Sequence, residues 1–166
     1  MRSNDQRGRS YSPKGQTPVA LHSGRQRSRV NYIASISNSG QVRFMLYRQS
    51  FDGELYLRFL KRLVQTSSCK LFVIVDRHPV HKRRLVQDWL TAHKHQIEVF
   101  YLPAYSPDLN PAEYLNNDLK QQVHSKPPTM SVAQLEERTT SGLRSLQKQP
   151  ARVSRYFQHP SIAYAA

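Results

Sequence analysis

A chain of 166 residues is long enough for one domain with a real hydrophobic core and short for two. Lysine and arginine number 25 against 11 aspartates and glutamates, a formal charge of +14, which points to a polyanionic partner because each cation placed on a phosphate releases a condensed counterion. The single cysteine, Cys69, excludes an intrachain disulfide and a cysteine-based zinc site, and no apolar run approaches the roughly 20 residues that span a bilayer.

On charge alone a ribosomal-type protein, a basic membrane-surface protein and a charged face without a partner stay open beside nucleic acid. The opening stretch MRSNDQRGRSYSPKG has charge but no apolar segment of the signal-peptide kind, so a cytoplasmic protein is expected.

Residues 1–16 are polar and rich in turn formers, and read as an arm or loop. A short strand is expected at 19–21. Residues 30–37 and 42–47 alternate around Asn38-Ser39-Gly40, the pattern of a β-hairpin. The period then changes. Tyr56, Phe59, Leu60, Leu63 and Val64 form the stripe of an amphipathic helix over 53–66. Leu71-Phe72-Val73-Ile74-Val75 is an unbroken apolar run, which predicts a strand buried on both faces. A helix is expected over 80–94 with Leu85, Val86, Trp89 and Leu90 inward, followed by a strand over 97–102.

Prolines 103, 107 and 111 shape the next loop, and Pro111 suits the first turn of a helix reaching about His124, with Leu115, Leu119 and Val123 toward the core. Ser131 and Gln134 have the spacing of a capping box for a last long helix carrying Val132, Leu135, Leu143 and Leu146 on one side. A hairpin followed by strand–helix alternation predicts an α/β fold with a mixed sheet covered by helices.

Two acids stand out. Asp76 directly follows the run LFVIV, and ligand sites in α/β sheets favour the carboxyl ends of strands. An ordinary turn or helix-capping aspartate fits the same position. Glu113 falls in the first turn of a helix, where the dipole favours a carboxylate in any case. Asn117 and Lys120 would share its face. His78 and His81 have an H-x-x-H spacing beside Asp76 but lack further zinc ligands, and read as a loop and helix-start feature. Arg25 and Arg27 before the hairpin, Lys82 and Arg83 after Asp76, and Lys120 are candidate DNA contacts. Taken one group at a time, each is equally a solvated face.

Together the segments VDRHPVHK (75–82) and YLPAYSPDLNPAEYLNNDLK (101–120), with GRSYSPKGQTP (8–18) upstream, resemble the DDE transposases of the bacterial insertion-sequence and mariner-like superfamily. The resemblance implies a ribonuclease H-like fold, a mixed sheet flanked by helices, with the catalytic domain over 17–150, an arm over 1–16 and a tail over 151–166. It implies three carboxylates holding Mg²⁺ or Mn²⁺, with Asp76 the second and Glu113 the third, both catalytic and metal-binding. Hard cations of this kind take oxygen ligands, and two of them activate the attacking oxygen and stabilise the leaving one at a phosphodiester. The partner implied is DNA, as transposon ends and target, in a bacterial cytoplasm on the nucleoid, by a homodimer.

Three departures matter. The family carries its first acid in an Asp-Glu pair shortly before the segment that corresponds to Met1-Arg2-Ser3, so the opening strand and its acid are missing from these residues. The family's helix-turn-helix region is missing too. Arg77 stands where asparagine is common, and Asn116 where an aromatic is common. The expectation is a transposase catalytic part that is inactive by itself. A non-enzymatic nucleic-acid-binding remnant, or half of a split enzyme whose partner supplies the N-terminal part, are the competing readings.

Overall fold

The computed structural model describes residues 1–2, 13–16 and 28–165. The strand expected at 19–21 lies outside these residues, as do Arg25 and Arg27. Arg2 pairs with Arg29 in an antiparallel bridge that leads into β1 (Asn31–Ile36). β1 pairs antiparallel with β2 (Val42–Tyr47), with Ile36 opposite Val42 and Asn31 opposite Tyr47. The reversal is closed by Gly40 at φ +83°, whose N–H donates to the Ser37 carbonyl at 2.9 Å. Glycine takes this left-handed backbone without the steric cost that a Cβ imposes.

α1 (Gly53–Gln65) starts where Asp52 accepts the Leu55 N–H at 2.9 Å, and it buries Tyr56, Phe59, Leu60 and Leu63. β3 (Leu71–Val75) follows, then a 3₁₀ turn at Pro79–Lys82 and α2 (Arg84–Ala92). β4 (Ile97–Tyr101) runs parallel to β3, with Leu71 opposite Ile97 and Val75 opposite Tyr101. α3 (Pro111–His124) has Asn110 as its cap and Pro111 in its first turn. α4 (Val132–Gln147) is capped by Ser131, which accepts the Gln134 N–H at 3.2 Å. α5 (Pro150–Ser154) and two 3₁₀ turns, Arg155–Gln158 and Pro160–Ala165, follow it. No helix among the described residues is long and apolar enough to cross a membrane.

The strands form two separate two-stranded sheets, β1–β2 and β3–β4. Alternate hairpin residues serve two cores, as the period of two requires. Ile33 and Met45 pack with Phe59, Leu60, Leu63, Val86 and Ile97 under α1 and α2. Tyr32, Ala34, Phe44 and Leu46 pack on the other side with Leu115, Leu119, Leu135, Leu143 and Leu146 from α3 and α4. Those leucines are fully enclosed, and each contributes about 2 kcal/mol relative to an exposed one. Helices on both faces of a mixed set of strands match the expected architecture.

Three expectations are corrected. β3 is not buried on both faces: Phe72 is 66% and Ile74 42% exposed. The α3–α4 layer that covers the hairpin contributes nothing to the core beside β3, so only Leu71 and Val73 are packed, toward α1. The helix expected over 80–94 is split, because Arg83 is extended (φ −60°, ψ 139°) and separates the 3₁₀ turn from α2. Leu85 and Val132 face solvent, since each sits at the first turn of its helix, beyond the buried stripe. Residues 151–166, set apart by sequence as a tail, include Val153, Phe157 and Ile162, which are buried.

α3 and α5 are joined by Asp118. Arg152 grips its carboxylate with two nitrogens at 2.6 and 2.7 Å, Gln122 donates at 3.0 Å, and the Tyr156 hydroxyl donates to the same group. Burial works against the Asp118 charge, but the hydrogen bonds from Tyr156, Gln122 and Arg152 outweigh it and hold the carboxyl below its usual pKa. A carboxyl depressed in the fold stabilises it above the unfolded pKa and loses that contribution as pH falls through the folded one. Asp118→Asn is therefore expected to cost about 2 kcal/mol at neutral pH. In urea melts the gap to the unchanged protein should shrink as pH drops below about 4. A gap independent of pH would count against ionic stabilisation.

Candidate active site

β3 delivers Asp76. Its last residue, Val75, accepts the Leu102 N–H at 2.8 Å, and Arg77 Nε donates to the Leu102 carbonyl at 3.0 Å, so the ends of β3 and β4 are tied on both sides of the acid. The chain then turns sharply, because Asp76 Oδ1 accepts the His78 N–H at 2.9 Å. The same oxygen lies 3.1 Å from His81 Nε2. Oδ2 accepts no hydrogen bond from any described side chain or amide. The Asp76 side chain is 61% exposed.

His81 is the residue that sequence reasoning missed. The H-x-x-H spacing was its only signal, and the helix-start reading holds for His78, whose Nδ1 accepts the Val80 N–H. His81 instead is buried, its ring 4.4 Å from that of Tyr56. Facing a carboxylate oxygen, Nε2 is the ring nitrogen placed to donate. Nδ1 is buried without a hydrogen-bond partner. Burial pushes the His81 pKa below its ordinary value, against the pull of Asp76. His81 thus orients the carboxylate, and its burial disfavours a positive charge on the ring beside the cavity.

α3 delivers Glu113. Asn110 accepts the Ala112 N–H at 3.0 Å and its carbonyl accepts the Glu113 N–H at 3.0 Å, which starts the helix just before the acid. The loop ahead of it holds Tyr105 at φ 54°, a conformation that non-glycine residues adopt at a cost. Tyr164 donates to the Leu109 carbonyl at 2.6 Å. Asn116, not Asn117, is the neighbour of Glu113: its Nδ2 lies 3.5 Å from Glu113 Oε1, while its Oδ1 accepts the Tyr32 hydroxyl at 2.5 Å. Burial, then the charge of Glu113, pushes the Tyr32 pKa up, so its hydroxyl stays a donor. β1, through Tyr32 and Asn116, therefore braces the acid on α3.

Asp76 and Glu113 open on one cavity of about 740 Å³, walled by β1 and β3 and reached by His81, Asn116 and Lys120. The donor set is two carboxylates, hard oxygen ligands suited to a divalent cation that keeps several waters. Among the described residues no group of three or more His, Cys, Asp or Glu side chains is placed to hold a metal ion. Two carboxylates are too few to serve a pair of such ions. Of the basic candidates, Lys120 lines the cavity. Lys82 sits 5.9 Å over the Tyr101 ring, and Arg83 lays its stem against Gly53. Both are exposed and lie off the cavity wall.

The fold recurs in solved structures. The Mos1 strand transfer complex superposes with a TM-score of 0.63 at 18% identity, over 96% of this chain and 50% of that one. The Mos1 mariner paired end complex with Mn gives 0.63 at 20% identity, over 96% and 51%. The catalytic core domain of BIV integrase gives 0.54 at 17% identity, over 77% and 87%. At these identities the likeness is one of fold, and the chain spans about half the length of the Mos1 chains. No curated protein matches it in sequence. The family described as DDE superfamily endonuclease matches residues 1–136, most of the chain, and the chain belongs to that family.

Proposed function

We propose that this chain carries two of the carboxylates of a divalent-metal-dependent site for cleaving and transferring DNA strands, and that it is inactive by itself. The observation that carries the reading is that Asp76 and Glu113, from different elements, line one cavity. Mg²⁺ or Mn²⁺ bound there would supply the Lewis acid and the activated oxygen that phosphodiester cleavage needs. Asp76 and Glu113 would hold it, His81 would fix the orientation of Asp76, and Tyr32 with Asn116 would fix that of Glu113. Lys120 inside the cavity, Lys82 and Arg83 near it, and Arg25 and Arg27 would take DNA phosphates, in keeping with a charge of +14. The paired-end and strand-transfer complexes among the structural neighbours support transposon ends and target as the substrate.

The shortage of ligands among the described residues supports inactivity of these residues by themselves, and with it a third carboxylate from elsewhere, a second copy or a split-enzyme fragment among the sources. It also gives weight to the reading as a basic nucleic-acid-binding protein, which needs the charge and not the acids.

Titrating Mn²⁺ while following paramagnetic broadening of amide resonances separates the two. The expected result is selective loss of signals around Asp76 and Glu113, abolished in the Asp76→Asn/Glu113→Gln double variant. Broadening that survives the double substitution would sink the metal site. Mg²⁺-dependent nicking of plasmid by the purified chain, lost on Asp76→Ala, would overturn the inactivity.

A further inference from the structure

Two polar atoms beside Asp76 are enclosed and unpaired: the Tyr56 hydroxyl and His81 Nδ1, neither with a hydrogen-bond partner among the described residues. They belong to one packed group. Tyr56 is 2% exposed and His81 7%, and their rings meet edge to face at 4.4 Å. Phe51 closes the contact, its ring 6.1 Å from that of Tyr56 and 6.2 Å from that of His81. Both side chains border the cavity that Asp76 lines. A buried donor or acceptor left unpaired costs its full desolvation, so nearly all such atoms in native proteins are paired, many of them by an enclosed water.

The surroundings of His81 hold its main chain. Its carbonyl accepts from Gln87 at 2.7 Å and from the Tyr101 hydroxyl at 3.2 Å, and Gln87 also donates to Tyr101 at 3.0 Å. Its amide donates to the His78 carbonyl at 3.0 Å. None of these bonds decides which ring nitrogen carries the proton. That choice matters to Asp76, which is 61% exposed and is held at Oδ1 by the His78 amide and His81 Nε2. With the proton on Nε2 the imidazole donates to the carboxylate. With it on Nδ1, a bare nitrogen would face the carboxylate and release it. In a histidine the proton's place is set by what the other nitrogen meets. Tyr56 offers a donor there. Burial, then the nearby Tyr101 hydroxyl and the Asp76 charge, raises its pKa and keeps its hydroxyl protonated.

We propose that Tyr56 is a positioning residue for Asp76: one buried water links its hydroxyl to His81 Nδ1, keeps the ring proton on Nε2, and so fixes Oδ1 and leaves Oδ2 to a cation. The hydroxyl and the bare nitrogen are the polar partners that a buried water requires. This inference deepens, and rests on, the reading of Asp76 as a metal ligand.

The test is Tyr56→Phe in the full chain, which keeps the ring and deletes only the hydroxyl. The ring ¹⁵N resonances of His81 are read without metal, at a pH well above the ordinary imidazole range. In the unchanged protein Nε2 should appear as the protonated nitrogen and Nδ1 as the bare one. In Tyr56→Phe the two shifts should converge, as exchange between tautomers averages them. Mn²⁺, followed by broadening of amides around Asp76, should bind about threefold to tenfold more weakly, short of the ~10–100-fold lost with a direct outer-shell partner. Phe51→Leu is the control, since it loosens the same packing without touching a polar atom, and it should leave the His81 shifts in place. Unmoved shifts in Tyr56→Phe would overturn the proposal, and so would an equal change in Phe51→Leu, which makes the effect one of packing. Converged shifts with unchanged Mn²⁺ affinity would overturn it too, because Tyr56 would then set the ring and not the acid. The shifts are read without metal and judge the Tyr56–His81 link by itself. Mn²⁺ that broadens nothing near Asp76 in the unchanged protein would instead count against the metal ligand.

Discussion

Joined to an N-terminal segment that supplies a third carboxylate, the protein should lose at least about a thousandfold of its Mg²⁺-dependent DNA cleavage on either Asp76→Asn or Glu113→Gln. Each substitution removes one negative charge and almost nothing else. Asparagine at 76 keeps an Oδ1 that can accept from His78 N–H and His81 Nε2. Glutamine at 113 keeps an oxygen toward Asn116. The Asp76 side chain is more than half exposed, so stability should change by no more than about 0.5 kcal/mol. The amides would still offer a carbonyl to a hard cation, but without the charge that holds it against its hydration shell. Single-turnover cleavage of a labelled duplex, with urea melts alongside, gives both readouts. A rate within tenfold of the unchanged protein would remove the acid from the chemistry. A large fall in both rate and stability would make its role structural.

Gly40→Ala should destabilise the fold by about 3–4 kcal/mol, a large part of the 5–15 kcal/mol typical of a domain. Two costs add at this position. A Cβ at φ +83° is strained by about 1–2 kcal/mol. It would also lie 2.1 Å from the Pro150 carbonyl oxygen, a backbone atom at the start of α5 that cannot swing aside as a side chain does. Gly15 separates the two costs, since it has φ +89° but nothing within 4 Å of its would-be Cβ. Gly15→Ala should therefore cost only the backbone strain. Equal effects in urea denaturation would show that the hairpin turn does not bear on α5.

Much of the fold was legible because it is written in local periodicity. The hairpin showed in alternation around Asn38-Ser39-Gly40, α1 in its stripe, and α3 in Pro111 followed by Leu115, Leu119 and Val123. The position of Asp76 was legible for the same reason, since the end of an apolar run marks the end of a strand. What failed depends on which layer lies over which strand. LFVIV looks like a doubly covered strand, yet Phe72 and Ile74 are exposed because the α3–α4 core stops at the hairpin. The residues bracing the acids were hidden by distance along the chain. Tyr32 and Asn116 stand 84 positions apart, and no spacing rule links a tyrosine on one strand to an asparagine on a distant helix. His81 was visible only as half of a histidine pair, and its burial against Tyr56 decides its role.

The bond from Tyr164 to the Leu109 carbonyl bears on how the protein is made. The two residues are 55 positions apart, and Leu109 leads directly into the turn that bears Glu113. A ribosome adding residues from the amino end releases that turn well before its latch exists. The glutamate should therefore gain its fixed setting only late in synthesis, and a nascent chain halted before Tyr164 would carry the acid on an unfastened loop.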